Sequence, residues 1–306
     1  MYPAYRLGWW LSDRLSHTQA YRLAEWGADV QWRRAAERRR HVQANLALAL
    51  GRPVDERDPL VHEVFRHFGR YLAEFFTAHR GPTPGLEVEG WPHLLRAREA
   101  GRGVLIVTGH LGNWELGAVL LRRRGLPLTA VALPHADGRI DRLFTAQRAR
   151  LDVPSIPLGP GASARVLALL RRGEVVAIVG DQEFGGHGAA VELFGRPAVV
   201  AGGPPTLSVR AGAPIVPSAL LRTGPWHFRL VLEPPLWPAA GGPLQERVQA
   251  LARAYAACLE RHVRRQPTQW MQLGPAIGTP RTFPGARPAA GIPSPAPGGE
   301  REELYG

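Results

Sequence analysis

Residues 103–125, GVLIVTGHLGNWELGAVLLRRRG, constrain the fold more than any other part of the chain. Gly103 to Thr108 is a β-rich run without polar alternation, so both of its faces must be buried. It breaks at Gly109, and a helical pattern begins near Asn113, whose side chain suits a helix N-cap. A buried strand feeding straight into a helix is the unit of an α/β sheet covered on both sides. The alternation recurs, with strands expected at Leu128–Leu133, Val175–Val179, Ile215–Leu221 and Phe228–Leu232. Helices are expected at Asn113–Arg124, Asp141–Leu151, Ser163–Arg172 and over 245–265. The predicted class is therefore α/β: a mixed, largely parallel sheet flanked by helices.

Upstream the pattern is helical. Leu7, Trp10, Leu11 and Leu15, then Leu23, Trp26, Ala28 and Val30, recur at three- and four-residue steps among arginines and acids. Phe65, Phe68, Tyr71, Leu72, Phe75 and Phe76 form a further apolar stripe that encloses Glu74. Helices bearing tryptophan and arginine can lie in a membrane interface, but the same aromatics also suit an ordinary core. Three regions are expected: a helical, membrane-associating segment over 1–85, an α/β domain over 86–275, and a disordered Gly/Pro-rich tail over 276–306.

Composition removes several function classes. All 38 basic residues are arginine, which excludes a lysine Schiff base and a P-loop lysine. A lone cysteine, Cys258, excludes a disulfide framework or a cysteine-based zinc site. His62 and His67 are five apart, on different faces of a helix, and no metal site is expected. The net charge of +12 favours acidic partners, of which an anionic membrane surface is one. No nucleic-acid-binding module is recognisable, so nucleic acid is not expected as a partner. No stretch of 18 apolar residues exists and no secretory signal pattern opens the chain, so a peripheral or monotopic place on the cytoplasmic face of a membrane is expected.

The chemistry is concentrated in Gly-His-Leu-Gly-Asn-Trp-Glu. His110 falls on the turn at a strand's carboxyl end, where open α/β sheets place their ligands, and Glu115 falls in the first helical turn. A carboxylate folded back onto one ring nitrogen would fix the tautomer and raise the basicity of the other, making a general base. Gly109 and Gly112 would keep the approach open, with Asn113 beside them, and amides at the helix start are candidates to stabilise an oxyanion.

These residues carry a resemblance. GHLGNWE resembles the His-x-x-x-x-Glu motif of the bacterial lipid A lauroyl and myristoyl acyltransferases and the related phosphatidylinositol mannoside acyltransferases. RRRHVQANLALAL, Glu74, LALLRRGEVVAIVGDQ, VELFGRPAVVAGGPPTLSVRAGAPIVP and QPTQWMQL match further segments of that family in order, with Thr268 where the last box usually has glutamate. The resemblance implies a glycerolipid acyltransferase-like fold. It also implies transfer of an acyl chain from a thioester, on acyl carrier protein or coenzyme A, to a hydroxyl of a membrane glycolipid. No cofactor is implied, since the thioester is a co-substrate. His110 would be the base and Glu115 its partner. Asp181 and Gln182, at another strand end, would orient the site, and Arg165 would contact a phosphate. Two alternatives stay open at this level: a lysophospholipid or glycerolipid acyltransferase, which uses a similar device usually with aspartate, and an inactive peripheral membrane-binding protein.

Overall fold

The computed structural model describes residues 2–80, 83–183 and 186–275; the Gly/Pro-rich tail lies outside them. Four helices come first: α1 (Tyr2–Ser12), α2 (His17–Arg34), α3 (Ala36–Leu50) and α4 (Pro59–Thr77). Their ends follow local chemistry. Ser16 and Gln19 form a capping box at the start of α2. Asp58 caps α4 with Pro59 in its first turn, and α3 stops at Gly51, whose φ is +65°.

The chain then alternates. In order come β1 (Gly85–Glu89), α5 (Trp91–Glu99), β2 (Val104–Thr108), α6 (Trp114–Arg123), β3 (Leu128–Ala132) and α7 (Gly138–Arg150). After them run β4 (Ser155–Pro157), α8 (Ala162–Arg171), β5 (Val175–Val179), the hairpin β6 (Gly188–Leu193) and β7 (Arg196–Ala201), and α9 (Gly203–Ala211). The last elements are β8 (Ile215–Gly224), β9 (His227–Leu232), α10 (Leu244–Arg265) and a 3-10 turn at Pro267–Gln269. The main sheet has seven strands in the order β1-β9-β8-β2-β5-β3-β4. Strands β8, β2, β5, β3 and β4 pair in parallel, while β9 runs antiparallel to β8 and takes β1 with it. The expected mixed, largely parallel sheet is thus present.

Why β2 needed no polar face is now visible. Val104 and Ile106 point into a core built with Phe75, Phe76, Leu94, Leu116, Leu120 and Phe144, from α4, α5, α6 and α7. Leu105 and Val107 point the other way, into a core built with Val166, Leu170, Leu207, Leu251 and Tyr255, from α8, α9 and α10. Helix α4 therefore contributes to the same core as α6 and α7, and α1 adds Tyr5 and Trp9 at its edge. Several elements had no sequence expectation: β1, α5 and β4, the hairpin, whose strand β6 alternates exposed and buried residues, and α9, which opens Gly203-Pro204-Pro205. Among the described residues no helix is long and apolar enough to cross a membrane.

Candidate active site

Strands β2 and β5 lie side by side with Thr108 opposite Val179. Each ends in a glycine, and the next residues are His110 and Asp181. A Cβ on Gly109 would press on the Leu259 and Asp181 side chains, so the missing side chain lets the two strand ends close together. His110 Nδ1 lies 2.7 Å from Asp181 Oδ1, and the His110 backbone N–H donates to Oδ2 at 2.9 Å. Trp270 Nε1 donates to the same Oδ2 at 3.2 Å. Asp181 is fully buried, whereas the His110 side chain keeps 26% of its surface open. Burial pushes the Asp181 carboxyl up. The facing His110 ring, the His110 N–H and the Trp270 N–H outweigh that and hold it below the usual carboxylate range. A carboxylate can only accept, so Nδ1 carries the proton and Nε2 keeps its lone pair.

The contact expected between Glu115 and His110 is not made. Glu115 is buried against α7, where its carboxylate takes Arg148 Nε at 3.0 Å and Arg148 Nη2 at 2.5 Å. Burial would lower the Arg148 guanidinium, but the adjoining Glu115 carboxylate keeps it raised. The reason is the helix start. Asn113 caps α6, so Glu115 already sits within the helix, on the side facing α7, while His110 is tied to the opposite segment by Met271 N–H donating to its carbonyl at 2.8 Å. The neighbour that does pack on the imidazole is Trp114, edge-on at 4.8 Å, and Trp114 itself stacks on Tyr71 at 4.4 Å.

Gly112 and Asn113 are buried and shape the loop from within. Gly112 has φ +65°, and a Cβ there would run into the Leu220 carbonyl oxygen of β8. Asn113 Oδ1 accepts from Leu116 N–H at 2.9 Å, and its Nδ2 donates to Glu74 Oε2 at 2.7 Å. The open amides expected here are not found at four positions. Those of His110, Gly112, Asn113 and Leu116 are taken by Asp181, the Gln269 carbonyl, the Leu220 carbonyl and Asn113. Gln182 does stand at the site, its Nε2 donating to Gln272 Oε1 at 2.5 Å and lying 3.1 Å from His110 Nδ1, whose proton goes to Asp181. Arg165 does not: it stands exposed on α8, and no contact among the described residues links it to His110.

Sequence reasoning named Glu74 but missed its partners. Its fully buried carboxylate receives a forked ion pair from Arg222 of β8, with Nη2 to Oε2 at 2.8 Å and Nε on Oε1. Tyr21 O–H donates to the same Oε1 at 2.5 Å. Arg222 Nη1 meets His67 Nδ1 at 2.5 Å, and burial together with Arg222 and Arg70 drives that histidine down to about 3. This buried cluster ties α2, α4 and β8 to the cap of α6. Its signal in the sequence was one acid set in an aromatic stripe; Arg222 and Arg148 had none, because an arginine-rich chain hides these two among many. Among the described residues no group of three or more His, Cys, Asp or Glu could hold a metal ion.

Comparison with known proteins gives the family. The phosphatidylinositol mannoside acyltransferase of Mycobacterium tuberculosis (strain ATCC 25618 / H37Rv) is 28% identical over 89% of this chain and 87% of its own length. The lipid A biosynthesis palmitoleoyltransferase of Escherichia coli (strain K12) is 29% identical over 72% of this chain and 71% of its own. The lauroyltransferase of the same organism is 27% identical over 89% of this chain and 92% of its own. The model of the family described as bacterial lipid A biosynthesis acyltransferase matches residues 3–276, nearly all of the sequence that builds the fold and the His110 site, and the chain belongs to that family of acyltransferases.

Proposed function

We propose that the protein moves an acyl chain from a thioester, carried by acyl carrier protein or coenzyme A, directly to a hydroxyl of a membrane glycolipid, with His110 as general base. The observation that carries the reading is the His110–Asp181 pair, 2.7 Å apart at the adjacent carboxyl ends of two parallel strands, with the histidine reaching the surface and the carboxylate wholly buried. His110 Nε2 takes the proton from the acceptor hydroxyl as its oxygen forms a bond to the thioester carbonyl carbon. Asp181 stabilises the imidazolium. When the tetrahedral adduct collapses, the C–S bond breaks and the same proton passes to the departing sulfur, so the base is regenerated and no cofactor enters the balance. The relatives named for phosphatidylinositol mannoside and lipid A support a glycolipid acceptor.

Glu115 has a different task in this reading from the one expected of it. It neutralises Arg148 and fixes the first turn of α6, so it acts on His110 through the helix start. Peripheral attachment to a membrane is supported by the surface of α1 and α2, where Leu7, Trp10 and Trp26 are 54%, 48% and 65% exposed among arginines; the cytoplasmic face is part of the proposal. Arg14 stacks over Trp10 at 3.8 Å, which sets a cation beside an exposed aromatic ring, a pairing suited to an anionic lipid interface.

The test has two parts. Mass spectrometry of polar lipids from cells with and without the protein should show one glycolipid gaining a single acyl chain. Purified His110→Ala protein should then lose transfer to that lipid by about 10²- to 10⁴-fold, the usual contribution of a positioned base, with its melting temperature kept. Full transfer by well-folded His110→Ala would overturn the assignment.

A further inference from the structure

The segment Gln269 to Gln272 belongs to no strand of the main sheet, yet it meets the His110 turn, Asp181, Gln182 and Arg222. The Gln269 carbonyl accepts from Gly112 N–H at 3.0 Å, and Met271 N–H donates to the His110 carbonyl at 2.8 Å, so the His110 turn is pinned on both sides by one stretch of backbone. Leu111 and Trp270 pair there as an antiparallel bridge. The Gln269 side chain brackets Arg222, accepting from its backbone N–H and donating to its carbonyl, each at 2.9 Å. Gln272 Oε1 receives Gln182 Nε2. From the other side Asn45 of α3 donates to the Gln272 and Gly274 carbonyls at 3.0 and 3.1 Å, which holds the segment against the helical region. Trp270, Gln269 and Gln272 are each at least 97% buried, so these bonds form away from competing water.

We propose that Gln269–Gln272 is a strap that sets the geometry of the base, and that Trp270 is a positioning residue acting on His110 through Asp181. The proposal rests on the reading of His110 as base. Asp181 Oδ1 faces the imidazole, and Oδ2 is held by two donors, the His110 N–H and the Trp270 indole N–H. Two donors on Oδ2 fix the plane of the carboxylate, so Oδ1 is aimed at Nδ1 when the ring becomes an imidazolium. They also draw charge from the carboxylate. Without the indole N–H, the Asp181 carboxylate becomes more basic and holds a proton at higher pH.

Trp270→Phe keeps most of the volume and loses the donor. With transfer from palmitoyl-coenzyme A measured on both phosphatidylinositol mannoside and lipid A precursor acceptors, kcat should fall about ten-fold with KM within two-fold. The acid limb of the kcat/KM profile should move up by about half a pH unit. Benzothienylalanine placed at position 270, the indole shape with sulfur in place of N–H, should give the same shift if Trp270→Phe folds poorly. Phe194→Leu serves as the packing control, because Phe194 lies 5.5 Å from the Trp270 ring and makes no bond to Asp181. It should lower the melting temperature and leave the acid limb in place. An unmoved acid limb in both position-270 variants, with His110→Ala and Asp181→Asn inactive, would overturn the strap and leave the base reading standing. Activity retained by His110→Ala would instead remove the base reading itself.

Discussion

Replacing Glu74 by glutamine tests whether the buried ion pair holds the cap of the His110 helix. Four donors converge on that carboxylate: Tyr21 O–H, Asn113 Nδ2, and Nε and Nη2 of Arg222. An amide of the same shape has one oxygen, so its NH2 must confront at least one donor, and Arg222 is left buried without a counter-charge. Breaking a buried pair from one side costs roughly 3–5 kcal/mol. At about 2–4 °C per kcal/mol for a chain of this size, the melting temperature should fall by roughly 6–20 °C. Removing the second charge as well, in Glu74→Gln with Arg222→Met, should cost less than the two single changes added together, by about 2 kcal/mol or more. Thermal melts and urea unfolding of the full chain in detergent measure both effects. A single variant melting within 2 °C of the wild type, or strictly additive costs, would refute the idea that this pair is a buried, coupled unit.

Three further outcomes are expected. His67 is held neutral in the fold at about 3, whereas in the unfolded chain it titrates near 6.5. The unfolded state therefore binds the extra proton between those values, and stability present above pH 6.5 is lost as the pH falls, at up to about 1.4 kcal/mol per unit. Urea midpoints from pH 7 to pH 5 should drop more steeply for the wild type than for His67→Gln, and parallel curves would contradict this. Gly112→Ala should cripple acyl transfer, because a side chain at φ +65° meets the Leu220 carbonyl and must move the turn that carries His110; normal turnover would show that the turn tolerates the shift. Trp10→Ser combined with Trp26→Ser should weaken pelleting with anionic liposomes while leaving the fold intact, and undiminished pelleting would place the membrane contact elsewhere.

Much of the scaffold was legible in the order of residues. The strand at Val175–Val179 and the helix α10 fall within a residue of where the pattern of apolar positions put them. Asn113 caps α6, and His110 stands at the carboxyl end of a buried strand, because the cap, the glycines and the apolar run all act within a few residues of one another. The hairpin and α9 escaped for the converse reason. Their segment is dense in glycine and proline, which in a linear reading signal a loop, and the hairpin becomes a packed element only when α10 and Trp270 cover its inner face.

Which carboxylate serves His110 was decided by the tertiary structure alone. The linear spacing offered Glu115, five residues away, and the structure supplies Asp181, 71 residues on. Periodicity within one segment can tell that a strand is buried, but the identity of its neighbour depends on how the whole sheet orders itself. Once β5 lies beside β2 with Val179 opposite Thr108, two glycine-broken strand ends must meet, and the carboxylate that follows one faces the imidazole that follows the other. Glu115 is carried away by the rotation of the helix it belongs to and is satisfied by Arg148, whose place on α7 is fixed by packing against the same core. The sequence alone determined that a histidine would stand at a strand end with acids within reach. Only the assembled sheet, and the strap through Trp270 that presses on it, determined which acid reaches it and in what orientation.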